Sequence, residues 1–181
     1  MFQESITVSL KLTVGGTTIV IPGGNVKQWS VDLQAYGFSG MAEFWLDAKK
    51  NRDDLFSKFT QDELIEVDFT FEKTDHEVKP PPDPISVKGV VTTRRFRETA
   101  AYDVEGSPVI FRRYRIEFRD IAAVMWRQHR PVSVRADSTL ESLIRSNLPA
   151  GLSLEMDWSE LKTERGILCL GLGADEASFY D

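Results

Sequence analysis

The sequence has few of the residues that build covalent or metal-held frameworks. Among 181 residues it has one cysteine, Cys169, and two histidines, His76 and His129, far apart in the chain. A single cysteine excludes an internal disulfide, and the histidines lack the spacing of a zinc site. No apolar run reaches the roughly 18 residues of a membrane span, and the N-terminus lacks the pattern of a secretory signal. We therefore predict cytoplasmic synthesis, no metal and no cofactor.

Motifs of the common catalytic sites are also missing. The sequence has no nucleophile elbow, no glycine-rich phosphate loop before a helix and no His-Glu-x-x-His motif. The acidic pairs Asp53-Asp54 and Asp62-Glu63 stand where loops and helix starts usually collect acids, so we do not interpret them as a catalytic dyad. Cys169 lies in an apolar run and is predicted to be a buried thiol. We therefore expect a protein that is not an enzyme.

The charge that is present is unevenly distributed. Residues 86–135 carry 11 basic and 5 acidic side chains, whereas the other residues carry 11 basic and 23 acidic ones, in a chain of net charge −6. Ten of the basic residues in this segment are arginines, whose planar guanidinium pairs with carboxylates in a fixed geometry. The segment is interpreted either as a hairpin face that pairs with acidic neighbours in the same fold, or as a contact surface for a partner subunit or nucleic acid.

Alternation of apolar and polar residues predicts an antiparallel β protein over the first two thirds of the chain. Clear runs of this kind extend from Ile6 to Val14, from Trp29 to Ala35 and from Ile65 to Phe71. Seven or eight strands with turns between them predict a barrel or a sandwich. We predict a closed antiparallel β-barrel, because closure removes exposed strand edges.

The longest hairpin is predicted near the middle of the chain. Ser86 to Arg97 forms a strand in which Gly89 marks a bulge or a close backbone approach. Glu98 to Pro108 is predicted to be a loop. Val109 to Arg119 then returns as a strand with an apolar face, formed by Ile110, Tyr114, Ile116 and Phe118.

The pattern changes after Asp120. Ile121 to Trp126 is an apolar run predicted to form a short helix or a turn that plugs the barrel. Ser138 to Glu141 has the pattern of a capping box, with Ser138 as the cap, and apolar residues at helical spacing follow it. Leu152 to Met156 and Gly166 to Leu170 are predicted strands.

The end of the chain is predicted to begin another helix, from Ala174 to Asp181. A new amphipathic element that starts there leads us to expect a truncated fragment of a longer protein. We therefore predict a β-barrel domain over residues 1–131, followed over residues 132–181 by the start of a small α/β domain.

Four segments carry a resemblance to a known family. They are the opening strand pair Asp32 to Leu46, the Gly-x-Val step in Val87 to Thr92, the long strand from Tyr114 that runs on to Arg127, and the helix Ser138 to Ile144. Their order resembles the N-terminal part of the tail-hub proteins of contractile injection machines. This family includes the baseplate hub of contractile-tailed phages and the type VI secretion spike protein VgrG.

The end of the chain is similar to the family in part. Asp175, Glu176 and Phe179 resemble an acidic pair followed by a helix with an aromatic residue. Leu170 to Gly173 replaces a glutamine-tyrosine step that usually precedes that pair, and Pro80 to Pro84 has the character of an insertion. The resemblance implies a structural protein that forms a homotrimer at full length. Its implied partners are the tail tube protein and the spike or baseplate proteins, within a phage tail or a secretion apparatus.

The resemblance gives the arginine-rich segment an expected role. We predict that it supplies a subunit interface, with the candidate residues Arg94, Arg95, Arg97, Arg113 and Arg115. The alternative is an OB-like β-barrel module that binds nucleic acid or a small ligand. Nucleic acid is the less favoured partner, because phosphate binding needs a basic surface and the whole chain is acidic.

Overall fold

The computed structural model describes residues 5–34, 37–47, 55–74, 83–102, 106, 108–148, 154–156 and 159–171. The chain divides into two compact units, residues 1–120 and residues 121–181. The domain boundary predicted between residues 131 and 132 stays a prediction.

The first unit is an antiparallel sheet of seven strands. Alternation of apolar and polar side chains gives most strands one face for the core. The strands are β1 (Ser5–Val14), β2 (Thr17–Ile21), β3 (Val26–Gln34), β4 (Gly37–Asp47), β5 (Ile65–Thr74), β6 (Ile85–Tyr102) and β7 (Pro108–Asp120). Their order across the sheet is β2-β1-β5-β6-β7-β4-β3. The predicted fold class, mainly antiparallel β, is therefore confirmed.

The sheet is not closed into a barrel, so the predicted closure is wrong. β2 and β3 lie at opposite ends of the strand order and do not pair. Aromatic side chains nevertheless meet across the inner face, because Trp29 of β3 lies 5.4 Å from Phe69 and 5.1 Å from Phe71 of β5, measured between ring centroids. The sheet therefore curls around its core through side-chain packing rather than through a hydrogen-bonded seam.

A 3-10 turn lies where the sheet stays open, between β2 and β3. β2 pairs with β1 from Leu10 to Val14, and the chain then turns through Gly23–Asn25 before β3 begins. A Cβ atom on Gly23 would lie 2.5 Å from the carbonyl oxygen of Val8. The turn thus lies against the half of β1 that β2 does not reach, in the region where a closing strand would have to pair.

The inner face of the sheet carries the core. The fully buried side chains of the first unit include Leu10, Leu12, Phe44, Phe69, Tyr114, Ile116 and Phe118. The apolar face predicted for β7 is confirmed at Tyr114, Ile116 and Phe118. Ile110, predicted on the same face, is 47% exposed, because it lies beyond the part of β7 that pairs with β4.

A short helix covers one end of the inner face. Helix α1 (Leu55–Phe59) buries Leu55 and Phe59, and the Phe59 ring packs edge-on against Tyr114 with 4.9 Å between centroids. The run Ile121 to Trp126, which the sequence predicted to plug the barrel, is helical and groups with the second unit. In the first unit, the helix that covers the inner face of the sheet is therefore α1.

The β6–β7 hairpin extends beyond its neighbours. β6 pairs with β5 from Ile85 to Val90 but with β7 as far as Tyr102, which lies opposite Pro108. The predicted loop from Glu98 to Pro108 is therefore wrong at both ends. Hydrogen bonding to β7 extends the strand through residues whose apolar and polar side chains do not alternate regularly. The close approach predicted at Gly89 is confirmed, since a Cβ atom there would overlap the carbonyl oxygen of Arg119.

The second unit contains helices and a two-stranded antiparallel sheet. Its elements are α2 (Ile121–Gln128), β8 (Ser133–Thr139), α3 (Leu140–Ser146), a 3-10 turn at Ser159–Lys162, and β9 (Glu164–Leu170), which pairs with β8. The strand predicted from Gly166 to Leu170 is confirmed. Residues 154–156 are not in a strand, and the helix predicted from Ala174 onwards lies outside the described residues.

Two predictions for single residues of the second unit are wrong. Thr139 rather than Ser138 caps α3, and its hydroxyl accepts a hydrogen bond from the Ser142 backbone N–H at 3.0 Å. The Ser138 hydroxyl does not cap the helix because it donates instead to the Ala136 carbonyl oxygen at 3.1 Å. Cys169 is exposed rather than buried, since it shares the open face of β9 with Ile167, which is 70% exposed.

Candidate interface on the β6–β7 hairpin

Four of the five predicted interface arginines share the outer face of the β6–β7 hairpin. Arg95 lies directly opposite Arg115, and Arg97 lies directly opposite Arg113. Residues two apart on a strand point to the same side, so the four side chains form a two-by-two group. All four are exposed. We call this group the arginine face (Arg95, Arg97, Arg113 and Arg115).

A β-bulge determines which side chains of β6 belong to this face. Val87 and Val91 are buried on the inner side, and unbroken alternation from them would place Arg95 and Arg97 inside. The register shifts between Val91 and Thr93. One extra residue in a strand moves every later side chain to the other face. The bulge thus brings Arg95 and Arg97 to the side where β7 presents its own arginines.

One buried carboxylate offsets part of the positive charge of the arginine face. Like charges directly opposite each other in a sheet are destabilising. Glu43 of β4 is 6% exposed, and its Oε2 accepts a hydrogen bond from Nη2 of Arg113 at 2.6 Å. That hydrogen bond raises the pKa of Arg113 above its ordinary value; burial opposes the rise, and the charge of Glu43 adds to it. Glu43 therefore holds one corner of the group in place.

The other three guanidiniums of the arginine face have no such partner among the described residues. Within the described ranges, Arg95, Arg97 and Arg115 take part in no ion pair. The sequence did not identify Glu43 as a site residue, although an acidic residue between the buried Ala42 and Phe44 is a signal that could have marked it. The arrangement presents three exposed positive charges to any partner that carries carboxylates or phosphates.

An aromatic pair formed by Trp45 of β4 and Phe111 of β7 borders the arginine face. Trp45 lies opposite Arg113 in the β4–β7 register, and its ring centroid is 6.3 Å from that of Phe111. The Trp45 Nε1 atom is buried and has no hydrogen-bond partner among the described residues.

Arg94 lies on the opposite face and has a structural role. Its guanidinium donates hydrogen bonds to three backbone carbonyl oxygens: Phe59 at 3.2 Å, Gln61 at 2.6 Å and Glu63 at 2.6 Å. Carbonyls at and after a helix end need acceptor partners of this kind. Arg94 thus ties α1 and the segment after it to β6. Its assignment to a subunit interface stays a prediction.

A second arginine, Arg112 of β7, also contacts α1. The Cζ atom of Arg112 lies 3.8 Å from the centroid of the Phe56 ring, and Arg112 Nε donates to Glu98 Oε1 at 2.9 Å. Phe56 also packs edge-on against Phe96 at 5.2 Å. Cation–π and aromatic contacts therefore stabilise the packing of α1 on the inner side of the hairpin, at Phe96 and Arg112. The sequence did not predict these contacts.

Each unit has a surface cavity among its described residues. In the first unit, a cavity of about 230 Å³ is lined by Ser30, Asp32, Ser39, Glu117 and Arg119 among others. In the second unit, a cavity of about 350 Å³ includes His129 and Asn147, which are joined by a 2.7 Å hydrogen bond between Nε2 and Oδ1. In the described part of the chain, no three His, Cys, Asp or Glu side chains are grouped so that they could hold a metal ion. Of the helices in that part, none has the length and apolar character to span a bilayer.

Comparison with known proteins finds likeness in structure but not in sequence. No model of a known family matches the chain, and no curated protein matches it. Chains of the Francisella PdpA-VgrG complex are similar to 98% of this chain, with a TM-score of 0.65 and 16% identity in the lidded form and a TM-score of 0.62 and 17% identity in the half-lidded form. The lidless PdpA-VgrG complex gives a TM-score of 0.65 and 16% identity.

The likeness covers a small part of those larger chains. This chain spans 24% of the matched chain in the lidded form, 27% in the half-lidded form and 30% in the lidless form. At this identity the likeness shows the fold alone. The chain therefore shares the fold of a segment found in PdpA-VgrG complexes.

Proposed function

We propose that this chain is a structural part of an injection apparatus, a VgrG-like hub segment of a type VI secretion spike or of a phage baseplate. The observation that carries the proposal is the likeness to PdpA-VgrG chains over 98% of this chain. It agrees with the family resemblance in the order of the sequence elements. In this proposal the chain joins the tube to the spike and has no enzymatic activity.

The proposed partners are proteins. We propose that the full-length protein forms a homotrimer and contacts the tube protein and the spike or baseplate proteins, after synthesis in the cytoplasm. Support comes from the arginine face, where exposed like charges oppose each other and, in the described ranges, only Arg113 forms an internal ion pair. Such an arrangement costs folding stability unless carboxylates from outside neutralise it.

Copurification tests the proposed function. The full-length protein is tagged in its source organism, and the proteins recovered with it are identified by mass spectrometry. We expect tube and spike or baseplate proteins. The variant Arg95→Glu/Arg115→Glu should reduce their recovery about tenfold or more, because each reversed charge meets a carboxylate.

The control must change charge without touching the arginine face. Lys162→Glu/Arg165→Glu makes the same change in net charge at two exposed residues of the second unit, and it should leave the recovery unchanged. Arg113 is unsuitable for the test, because its loss would leave the buried Glu43 unpaired. Equal recovery with both variants would remove the arginine face from the assembly, and absence of all apparatus proteins would contradict the proposed function.

A nucleic-acid-binding module is the second candidate, because guanidinium groups also bind phosphates in fixed geometry. The open seven-stranded sheet differs from the five-stranded barrel of OB folds, so the surface rather than the fold supports this candidate. A fluorescence titration with single-stranded DNA at several salt concentrations tests it. A steep loss of affinity with salt, in a protein that recovers no apparatus proteins, would favour it over the first candidate.

A further inference from the structure

In the outer half of the β6–β7 hairpin the β6 side chains are exposed on both faces, whereas on β7 Val109 is buried and Phe111 and Arg112 are half-buried. All described side chains of β6 from Arg95 to Tyr102 are exposed, with the side chain of Ala101 outside the description. Phe96 is 44% exposed and Tyr102 is 79% exposed. We call this half, residues 95–102 of β6 with residues 108–113 of β7, the hairpin arm.

The hairpin arm also has an edge that no described strand covers, and we call it the free edge. β6 pairs with β7 on one side, and β5 pairs with β6 no further than Val90. No described strand pairs with residues 95–102 on the other side. A row of unpaired backbone donors and acceptors is a template for another strand, which natural proteins usually block with lysine, proline or a bulge. Here the bulge lies at the base of the arm, before the free edge begins.

The two faces of the arm differ in chemistry. Arg95 and Arg97 lie on the outer face, opposite Arg115 and Arg113. Phe96, Glu98, Ala100 and Tyr102 alternate with them and lie on the inner face, where Glu98 already pairs with Arg112 of β7. A strand added to this edge would place its alternate side chains beside guanidinium groups on one face. On the other face they would lie beside a mainly apolar surface that the Glu98–Arg112 pair interrupts.

We propose that the free edge of β6 between Arg95 and Tyr102 receives an extended strand of a partner protein in which acidic residues alternate with apolar ones. The carboxylates pair with the guanidiniums that have no ion pair among the described residues, and the apolar side chains cover Phe96 and Ala100. Cross-strand pairs of opposite charge and of aromatic with apolar side chains both stabilise a sheet. The backbone of the partner satisfies the edge itself.

These features favour a polypeptide over a nucleic acid. A phosphate backbone would engage the outer face, but it has no repeat that fits the backbone groups of a strand edge and no apolar groups for the inner face. The inference goes beyond the proposed function, because it specifies the chemistry and conformation of a bound segment and does not depend on which assembly supplies it.

A binding experiment with designed peptides tests the inference. The probe is a fluorescent peptide of sequence Glu-Val-Glu-Phe-Glu-Val-Glu, and its anisotropy is measured with the whole chain. One control peptide has lysine at the four acidic positions. A second has the same composition with its four acids contiguous, so that the net charge is kept and the alternation is lost. We expect the probe to bind at least about tenfold more tightly than either control.

A charge-reversed protein keeps the test falsifiable. In Arg95→Glu/Arg97→Glu the preference should invert, so that the lysine peptide binds more tightly than the probe, which also shows that the arm is still folded. Equal binding of the probe and the contiguous-acid peptide would overturn strand addition, since charge alone would then explain it. No binding of the probe, or a preference that the variant leaves unchanged, would also overturn it. None of these three outcomes would contradict the proposed function, which the copurification experiment tests separately.

Discussion

Among the described glycines of the first unit, Gly89 has the least room for a side chain. A Cβ atom there would overlap the Arg119 carbonyl oxygen and lie 2.8 Å from Cζ of Phe38. Backbone cannot yield as a flexible side chain can, so Gly89→Ala should lower the free energy of unfolding by about 1–3 kcal/mol. Urea unfolding of the whole chain, followed by tryptophan fluorescence, measures the change.

Gly24 supplies the control for Gly89. No atom lies within 4 Å of the position that a Cβ would take at Gly24. Gly24→Ala should therefore leave the urea midpoint almost unchanged. Equal midpoints for the two variants would show that β6 and β7 do not approach each other at Gly89 as the structure describes.

The positive charge of the arginine face could be predicted from the residue types, but the side of the sheet on which each arginine lies could not. Alternation on β7 placed Arg113 and Arg115 outside, as the structure has them. On β6 the bulge between Val91 and Thr93 reverses the alternation. Because the sequence does not show the bulge, it does not indicate that Arg95 and Arg97 lie on the outer face and Arg94 on the opposite one.

Helix α1 depends on contacts rather than on its own length. A helix of five residues is too short to be stable alone, and Arg94 bonds to three carbonyls at and after its end. Arg94→Lys keeps the charge but loses the fork that reaches three acceptors. We expect faster hydrogen exchange of the amides of residues 55–63, with a loss of about 1–3 kcal/mol in local stability.

Arg97→Lys provides the comparison for the α1 prediction. Arg97 is exposed on the outer face and has no ion pair among the described residues, so this variant should leave exchange in residues 55–63 unaltered. If Arg94→Lys also left it unaltered, the three hydrogen bonds would not hold the segment.

The start of α3 offers a second test of an element. Thr139 accepts the hydrogen bond from Ser142, whereas the Ser138 hydroxyl donates to the Ala136 carbonyl. Thr139→Ala should therefore destabilise α3 by about 1 kcal/mol, and Ser138→Ala should change it less. Hydrogen exchange of the α3 amides measures both. The opposite order of effects would restore the cap that the sequence pattern predicted.

Elements with strong alternation were predictable, and connections between them were not. β1, β5 and most of β7 follow directly from side chains of period two. Closure of the sheet depends on how a 3-10 turn at Gly23–Asn25 lies against β1, which no local pattern encodes. The extension of β6 to Tyr102 likewise comes from pairing with β7, since Thr99, Ala100 and Ala101 carry little strand signal.

For the molecule as a whole, the order of elements was more informative than any motif. That order led to the tail-hub resemblance, and the fold agrees with it at 16–17% identity to PdpA-VgrG chains. The uneven charge also has a structural counterpart, because four arginines of the basic segment form the arginine face of the longest hairpin, whereas the residues outside that segment are acidic overall. Which partner meets that face could not follow from the sequence, since the partner's surface is not encoded in it.

An electron cryo-microscopy structure of the native particle that contains the full-length protein is the most direct test. We expect this segment between tube and spike, with Arg95, Arg97 and Arg115 buried against carboxylates of a neighbouring polypeptide. A particle in which these three arginines face solvent or nucleic acid, or a tube–spike junction without this protein, would contradict the account.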